Sequence, residues 1–292
     1  MISSYGKSSC KSVVEILNKN KFIVITLSFI VLILFLFRHT KACSVLYFID
    51  KKTGNIFVAN NEDFWYDTDA YIQIVPGSKN KLARLWYGWD DFAQGGINEA
   101  GFFFDGAVTP KDSIPPGYHK PKGNLGDRLL ATCSTVEEAI GYLEKEKTAL
   151  TNAHIMFGDS AGNAAIVEWV DGERKIIWRQ EFVLVMTNFL LSDTTKGNYP
   201  CYRYDSIIER AKHLNSQDTI VTLLQVGNLL GGAAQTPKSD SNNRIGGTLY
   251  SSFIDISKMK FFLVGKLDNN KLTYLDLKEE FSYSRRRKIK LN

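Results

Sequence analysis

Cys43 follows Ala42 directly, at the end of the segment Arg38-His39-Thr40-Lys41-Ala42. A cut after Ala42 leaves Cys43 with a free α-amine. Such an amine has a reference pKa of about 7.7–8.0, so it can take the thiol proton near neutral pH without a histidine. The chain holds only four histidines, and His39 lies before the cut. The alternatives for Cys43 are a lipid-attachment site or an ordinary early strand residue. Lys41 suits a lipid site poorly, and acylating the amine would remove the base. Asp63 lies 20 residues on, within Ala59-Asn60-Asn61-Glu62-Asp63-Phe64. The turn residues Asp50-Lys51-Lys52-Thr53-Gly54 between them predict a hairpin, which returns this segment beside the strand that Cys43 opens. A carboxylate placed there can hold the amine and tune its protonation. The plainer alternative is a surface turn, which Asn and Asp favour.

This chemistry needs the chain to be cut at Cys43, and the N-terminus is built for that. Phe22 to Phe37 is apolar apart from Thr26 and Ser28, and Lys7, Lys11, Lys19 and Lys21 precede it. Its 16 residues are short for a helix crossing about 30 Å of hydrocarbon. They suit the apolar region of a secretory signal peptide, with Ala42 as the small residue at the cut. Residues 1–42 are therefore expected to be a signal peptide, with an exported protein beginning at Cys43. An uncleaved anchor, meeting the membrane through residues 22–37, is the alternative. Cys10 would leave with the leader, and Cys43, Cys133 and Cys201 would remain. An odd number in an exported protein points to a reactive thiol. Whether Cys133 and Cys201 pair stays open.

Composition excludes other classes. The formal charge of +5 lies partly at the two ends, in the leader lysines and in Arg285, Arg286, Arg287, Lys288 and Lys290. Nucleic-acid binding wants a basic folded face instead. No Cys/His spacing suggests a metal site, Gly95-Gly96 is too short for a phosphate loop, and the thiol chemistry needs no cofactor. The partner expected is a small molecule, which the resemblance described below makes an amide; oligomeric state is not legible.

Residues 43–292 read as one domain without linker or repeat. Strands are expected at Ser44–Ile49, Ile56–Asn60, Tyr71–Val75 and Phe102–Phe104. Further strands are expected at Ala164–Val170, Lys175–Trp178, Val183–Thr187, Phe253–Ile256, Lys260–Val264 and Leu272–Leu275. Ser134 and Glu137 form a capping-box pattern before Val136, Ala139, Ile140 and Leu143 at helical spacing. Two more helices are expected near Tyr204–Leu214 and Thr219–Leu230. Strands in blocks and helices in blocks indicate an α+β arrangement of sheets layered with helices.

Taken in order, these segments resemble the choloylglycine hydrolase and penicillin V acylase family, which includes acid-ceramidase-like amidases. All are cysteine N-terminal-nucleophile hydrolases. The resemblance is carried by Cys43 with Asn61-Glu62-Asp63, Gly96-Ile97-Asn98-Glu99-Ala100-Gly101 and Asp159-Ser160-Ala161-Gly162 with Ile166-Val167-Glu168. It continues through Met186-Thr187-Asn188, Pro200-Cys201-Tyr202-Arg203-Tyr204 and Thr248-Leu249-Tyr250-Ser251-Ser252. It implies a four-layer αββα sandwich and hydrolysis of linear amide C–N bonds through an acyl-enzyme. It also implies Cys43 as nucleophile, Asp63 beside its amine, and Asn188 and Arg203 ordering the site. Asn61, Asn98 and Trp65 are candidate substrate contacts, with ordering of its own turn as the alternative for Asn98, and the segments Phe64-Trp65-Tyr66, Trp86-Tyr87-Trp89 and Phe102-Phe103-Phe104 are candidates for an acyl pocket or for core. Two positions depart from the family pattern: Asn60 stands where an arginine is usual, and Val108 where many members have an oxyanion-hole asparagine. A backbone N–H near Asn98 or the Asn188 amide can supply that donor instead. An acyltransferase, a dipeptidase of a related branch and an inactive membrane-anchored binding protein are the rival readings.

Overall fold

In β1 (Ser44–Ile49) successive side chains point to opposite faces, as the two-residue strand period requires. Val45 and Tyr47 enter one apolar cluster, while Leu46 and Phe48 enter another. A strand buried on both faces must lie inside a layered structure. The computed structural model of the chain describes residues 43–291. The leader expected at residues 1–42 lies outside the described residues. No helix among the described residues is long and apolar enough to cross a membrane.

Two antiparallel sheets form the centre. The seven-stranded sheet runs β10 (Val183–Met186), β1, β2 (Ile56–Trp65), β12 (Ile245–Asp255), β13 (Lys260–Gly265) and β14 (Leu272–Asp276), with β11 (Lys238–Ser239) beside β12. The eight-stranded sheet runs β15 (Arg287–Lys290), β3 (Tyr71–Val75), β4 (Arg84–Trp89), β5 (Phe92–Asn98), β6 (Phe103–Val108), β7 (Ala153–Gly158), β8 (Ala164–Val170) and β9 (Glu173–Trp178). Val45, Tyr47, Val58, Ile254 and Phe261 of the first sheet pack between the sheets on Ile72, Tyr87, Ile97 and Met156 of the second.

Helices cover both outer faces. Leu125 and Leu129 of α1 (Leu125–Thr132) and Ala139 and Leu143 of α2 (Val136–Lys145) pack on Phe104, Phe157 and Trp169 of the eight-stranded sheet. Ile207 and Ala211 of α3 (Tyr202–Ser216) and Val226 of α4 (Leu223–Leu229) pack on Leu46, Phe57 and Ala59 of the seven-stranded sheet. This is the αββα arrangement, with a short α5 (Leu277–Ser282) near the end of the chain.

Several elements differ from the expected bounds. The first of the outer helices expected from a capping box is α2, and its cap is Thr135, one residue later than Ser134, because Thr135 accepts from the Glu138 N–H. The helix expected from Thr219 starts at Leu223, where a Thr222–Gln225 capping box closes its first turn. The β4, β5 and β7 strands escaped the apolar pattern because each buries a polar or glycine position. Arg84 pairs with Asp127 at 2.7 Å, Gly95 and Gly96 interrupt β5, and His154 lies inside β7.

Candidate active site

The β1–β2 hairpin pairs Ser44 with Asn61, which brings Cys43 alongside Glu62 and Asp63. The Cys43 Sγ donates to Glu62 Oε1 at 3.2 Å, and both residues are buried. On the other side of β2, β12 sets Thr248 opposite Asp63 and Tyr250 opposite Glu62, with a register shift between them. Thr248 Oγ1 donates to Asp63 Oδ1 at 2.6 Å, whereas Asp63 Oδ2 is buried without a hydrogen-bond partner. Asn61 faces the helical side: its amide donates to the Leu230 carbonyl at 3.0 Å and accepts from Ser251 at 2.7 Å.

Arg203, in the first turn of α3, reaches back across the head of β1. Its Nη1 donates to the Cys43 carbonyl at 2.8 Å and to Ser44 Oγ at 3.1 Å, and its Nη2 donates to Asn188 Oδ1 at 2.9 Å. Asn188 in turn donates from Nδ2 to the Val108 carbonyl at 2.8 Å. The planar fork of a guanidinium suits this task, since it holds three acceptors in fixed directions. The loop that carries Asn188 is itself fixed from below. His154 lies 2.8 Å from Glu168 and 2.6 Å from the Thr187 carbonyl, and Glu168 accepts the Leu191 and Ser192 N–H groups at 2.9 Å each.

Burial dominates the electrostatics. It pushes the Cys43 thiol well above its ordinary range, and the charges of Glu62 and Asp63 push it further; the Asp63 backbone N–H opposes them. Burial also lifts Asp63 to about 7, against the Thr248 hydrogen bond and the Arg203 charge, which lower it. Deeper between the sheets, Asp105 accepts from Asn60 Nδ2 at 2.9 Å and from the Tyr87 hydroxyl at 2.7 Å. Burial, then the Glu62 charge, holds the Asp105 carboxyl well above the carboxylate range. Gly95 leaves room for this pair: a Cβ there would lie 2.2 Å from Asp105 Oδ2 and 2.7 Å from the Tyr87 ring.

Of the residues singled out in the sequence, the structure gathers Cys43, Asp63, Asn188 and Arg203 around the head of β1. It places Asn61 next to them with its amide already engaged. Asn98 has its side-chain amide fully engaged. Its amide donates to the Leu130 and Cys133 carbonyls at 2.9 and 2.7 Å and accepts the Ala100 and Phe102 N–H groups. It therefore orders its own turn against α1. Asn188 gives one of its two N–H donors to the Val108 carbonyl. Trp65 lies at the end of β2 under Arg244, 4.7 Å from its ring centre. Trp86, Tyr87 and Phe102 to Phe104 are buried core, and Phe64 stacks on Trp89 with ring centres 4.5 Å apart. Cys133 and Cys201 are free thiols.

The sequence reading gave no role to Glu62, Asp105, Thr248 or the His154–Glu168 pair. Only Glu62 carried a signal: it is a charged residue on the strand face that also carries Val58 and Asn60. The other positions become neighbours only through strand pairing and sheet stacking.

Residues 51–268 match the model of the family described as acyl-coenzyme A:6-aminopenicillanic acid acyl-transferase. Among solved structures, a variant of conjugated bile acid hydrolase from Clostridium perfringens superposes with a TM-score of 0.68 at 19% identity, over 86% of this chain and 97% of that one. Penicillin V acylase from Agrobacterium tumefaciens gives a TM-score of 0.66 at 19% identity, over 84% of this chain and 90% of that one. No curated protein matches the sequence. At such identities the likeness shows a shared N-terminal-nucleophile hydrolase fold.

Proposed function

This chain belongs to the family of the acyl-coenzyme A:6-aminopenicillanic acid acyl-transferase, and from that premise we propose that it is a hydrolase of linear amide C–N bonds that works through Cys43. The observation that carries the reading is the clamp at the head of β1. Arg203 joins the Cys43 carbonyl, Ser44 and Asn188, while Asp63 stands beside Cys43 with one buried oxygen lacking a partner. That free oxygen is where a Cys43 ammonium group would be received once residues 1–42 are removed by export. In the reaction, Sγ attacks the amide carbonyl and the α-amine takes the thiol proton. The C–N bond breaks as that proton passes to the leaving nitrogen. Water then attacks the thioester, releases the acid and returns the thiol.

The preferred substrates on this reading are neutral amides with an aromatic or aliphatic acyl side and a small leaving amine. Burying the acyl group supplies roughly 25 cal/mol per Å² of apolar surface. With Asn60 committed to Asp105, no cation stands at that position to meet an anionic conjugate. Activity on a glycine-conjugated bile salt is therefore expected to be weaker than on a neutral acyl amide such as an N-acylethanolamine.

The test is a panel of those amides and short peptides, followed by mass spectrometry for an acyl adduct on Cys43 and for a protein that begins at Cys43. Cys43→Ala should abolish turnover, and Asp63→Asn should lower it. Turnover by a protein that retains residues 1–42, or by Cys43→Ala, would refute the reading. Product made only when an acceptor amine is added would identify the acyltransferase instead.

A further inference from the structure

Two buried ionisable side chains near the site take no part in the chemistry set out above. His154 of β7 and Glu168 of β8 are fully buried, with His154 Nδ1 2.8 Å from Glu168 Oε1. Together they grip the segment 187–192 on both sides of Asn188. Before Asn188, His154 Nε2 lies 2.6 Å from the Thr187 carbonyl. A carbonyl only accepts, so Nε2 carries a proton. After Asn188, the Leu191 N–H donates to Glu168 Oε1 at 2.9 Å, and the Ser192 N–H and Oγ donate to Oε2 at 2.9 and 2.6 Å. On the reading above, in which Cys43 attacks and Asn188 and Arg203 order it, we propose that His154 and Glu168 are positioning residues, a two-ended tether that aims the Asn188 amide at Arg203.

The tether joins the two sheets at the site. Segment 187–192 follows β10 of the seven-stranded sheet, whereas the pair that holds it belongs to the eight-stranded sheet. His154 faces Ala107 across the β6–β7 ladder, one position from the Val108–Ala153 pair. Asn188 is therefore referred to the same two strands twice, through the Thr187 carbonyl on His154 and through its own Nδ2 on the Val108 carbonyl at 2.8 Å. Its Oδ1 takes Arg203 Nη2 at 2.9 Å, and Arg203 holds the Cys43 carbonyl at 2.8 Å.

Packing alone does not call for this pair. Burying two ionisable groups is costly, and apolar side chains of similar volume often give equal or greater stability. The carboxylate is also committed to its partners. Burial raises the Glu168 carboxyl, but the His154 and Ser192 hydrogen bonds outweigh burial and hold it below its ordinary range.

Two substitutions separate the halves of the tether. In His154→Gln the side-chain N–H₂ reaches the place of Nε2, so the donor to Thr187 stays and the Glu168 contact is lost. In His154→Asn the amide sits at the place of Nδ1, so the Glu168 contact stays and the Thr187 donor is lost. Both are made in the full chain, with the N-terminus read by mass spectrometry and stability by urea unfolding. Turnover of an N-acylethanolamine gives kcat and KM for the folded protein. The Arg203 Nη2–H signal in a nitrogen NMR spectrum, identified by its loss in Arg203→Lys, follows the site without substrate. In His154→Asn that signal leaves its bound position, and kcat falls by at least about 10-fold with KM kept within about twofold, since a misplacement of about 1 Å can cost about 100-fold. His154→Gln keeps the signal and most of kcat. Glu168→Gln acts at the other end. It has one acceptor oxygen for the Leu191 and Ser192 N–H groups, which now use one oxygen each. It should change signal and kcat in the same direction as His154→Asn, and it carries the test if His154→Asn does not fold.

A folded His154→Asn protein with the Nη2 signal and kcat of the unsubstituted chain overturns the proposal. So does a loss confined to stability and equal in the two His154 variants, which makes the pair a packing feature only. Should the unsubstituted chain cleave no amide, the hydrolase reading fails separately and the Nη2 signal decides. A signal moved in His154→Asn and Glu168→Gln but kept in His154→Gln supports the tether, and one unmoved in all three rejects it.

Discussion

Replacing Asp63 by asparagine in the full chain should make stability change sign with pH. Asp63 titrates at about 7 in the fold, against about 3.9 in an unfolded chain. Between those values the folded state binds more protons than the unfolded one, so stability falls as pH rises through the window. Three pKa units at 1.36 kcal/mol each make this loss about 4 kcal/mol. Asparagine does not ionise and escapes it. Its Oδ1 can still accept from Thr248, but its N–H₂ replaces an oxygen that has no partner. A buried unsatisfied donor costs about 1–3 kcal/mol. The variant should therefore be less stable than the parent by about 1–3 kcal/mol at pH 4, and more stable by a similar amount at pH 8. Urea unfolding from pH 4 to 8 measures both curves. Asp105 is also raised, but it is common to both proteins and drops out of the difference. Parallel curves would show that Asp63 is ionised in the fold throughout, and would refute the assignment of burial as the dominant effect.

Arg203→Met strips the donor from the Cys43 carbonyl, Ser44 and Asn188. Urea unfolding should show a loss of about 3–5 kcal/mol, and a loss below about 1 kcal/mol would mean that other groups hold the head of β1. Gly126→Ala places a Cβ 2.1 Å from the Phe104 ring and 2.9 Å from Ala93, so a thermal melt should show a loss of about 1–3 kcal/mol from overpacking. Because Cys43, Cys133 and Cys201 are all free, a reductant should leave the melting temperature unchanged, and Cys133→Ala should keep its turnover in the amide panel.

Much of this protein can be read without a structure because its information is local. The short apolar runs Ser44–Ile49 and Ala164–Val170, and the turn at Asp50 to Gly54, depend on near neighbours in the chain. The Ala42-Cys43 junction and the spacing to Asp63 across one hairpin are equally local, so Cys43 and Asp63 could be proposed from sequence as nucleophile and carboxylate. Arg203 and Asn188 could be chosen only through family resemblance. Nothing in their spacing says that a guanidinium at the start of α3 reaches a carbonyl 160 positions earlier.

What tertiary structure alone decided lies where distant strands meet. Glu62 has no role in the sequence reading, yet strand pairing and the stacking of the two sheets bury it and set it on the thiol. Asn98 looks like a donor near the site, yet α1 consumes its amide. Burial changes what these polar groups do: in water their hydrogen bonds are exchangeable, whereas between two sheets each bond is either made to a particular partner or lost. A carboxylate's neighbours in the fold, more than its identity, therefore determine its chemistry, and those neighbours come from distant strands, as Thr248 does to Asp63 from 185 positions away.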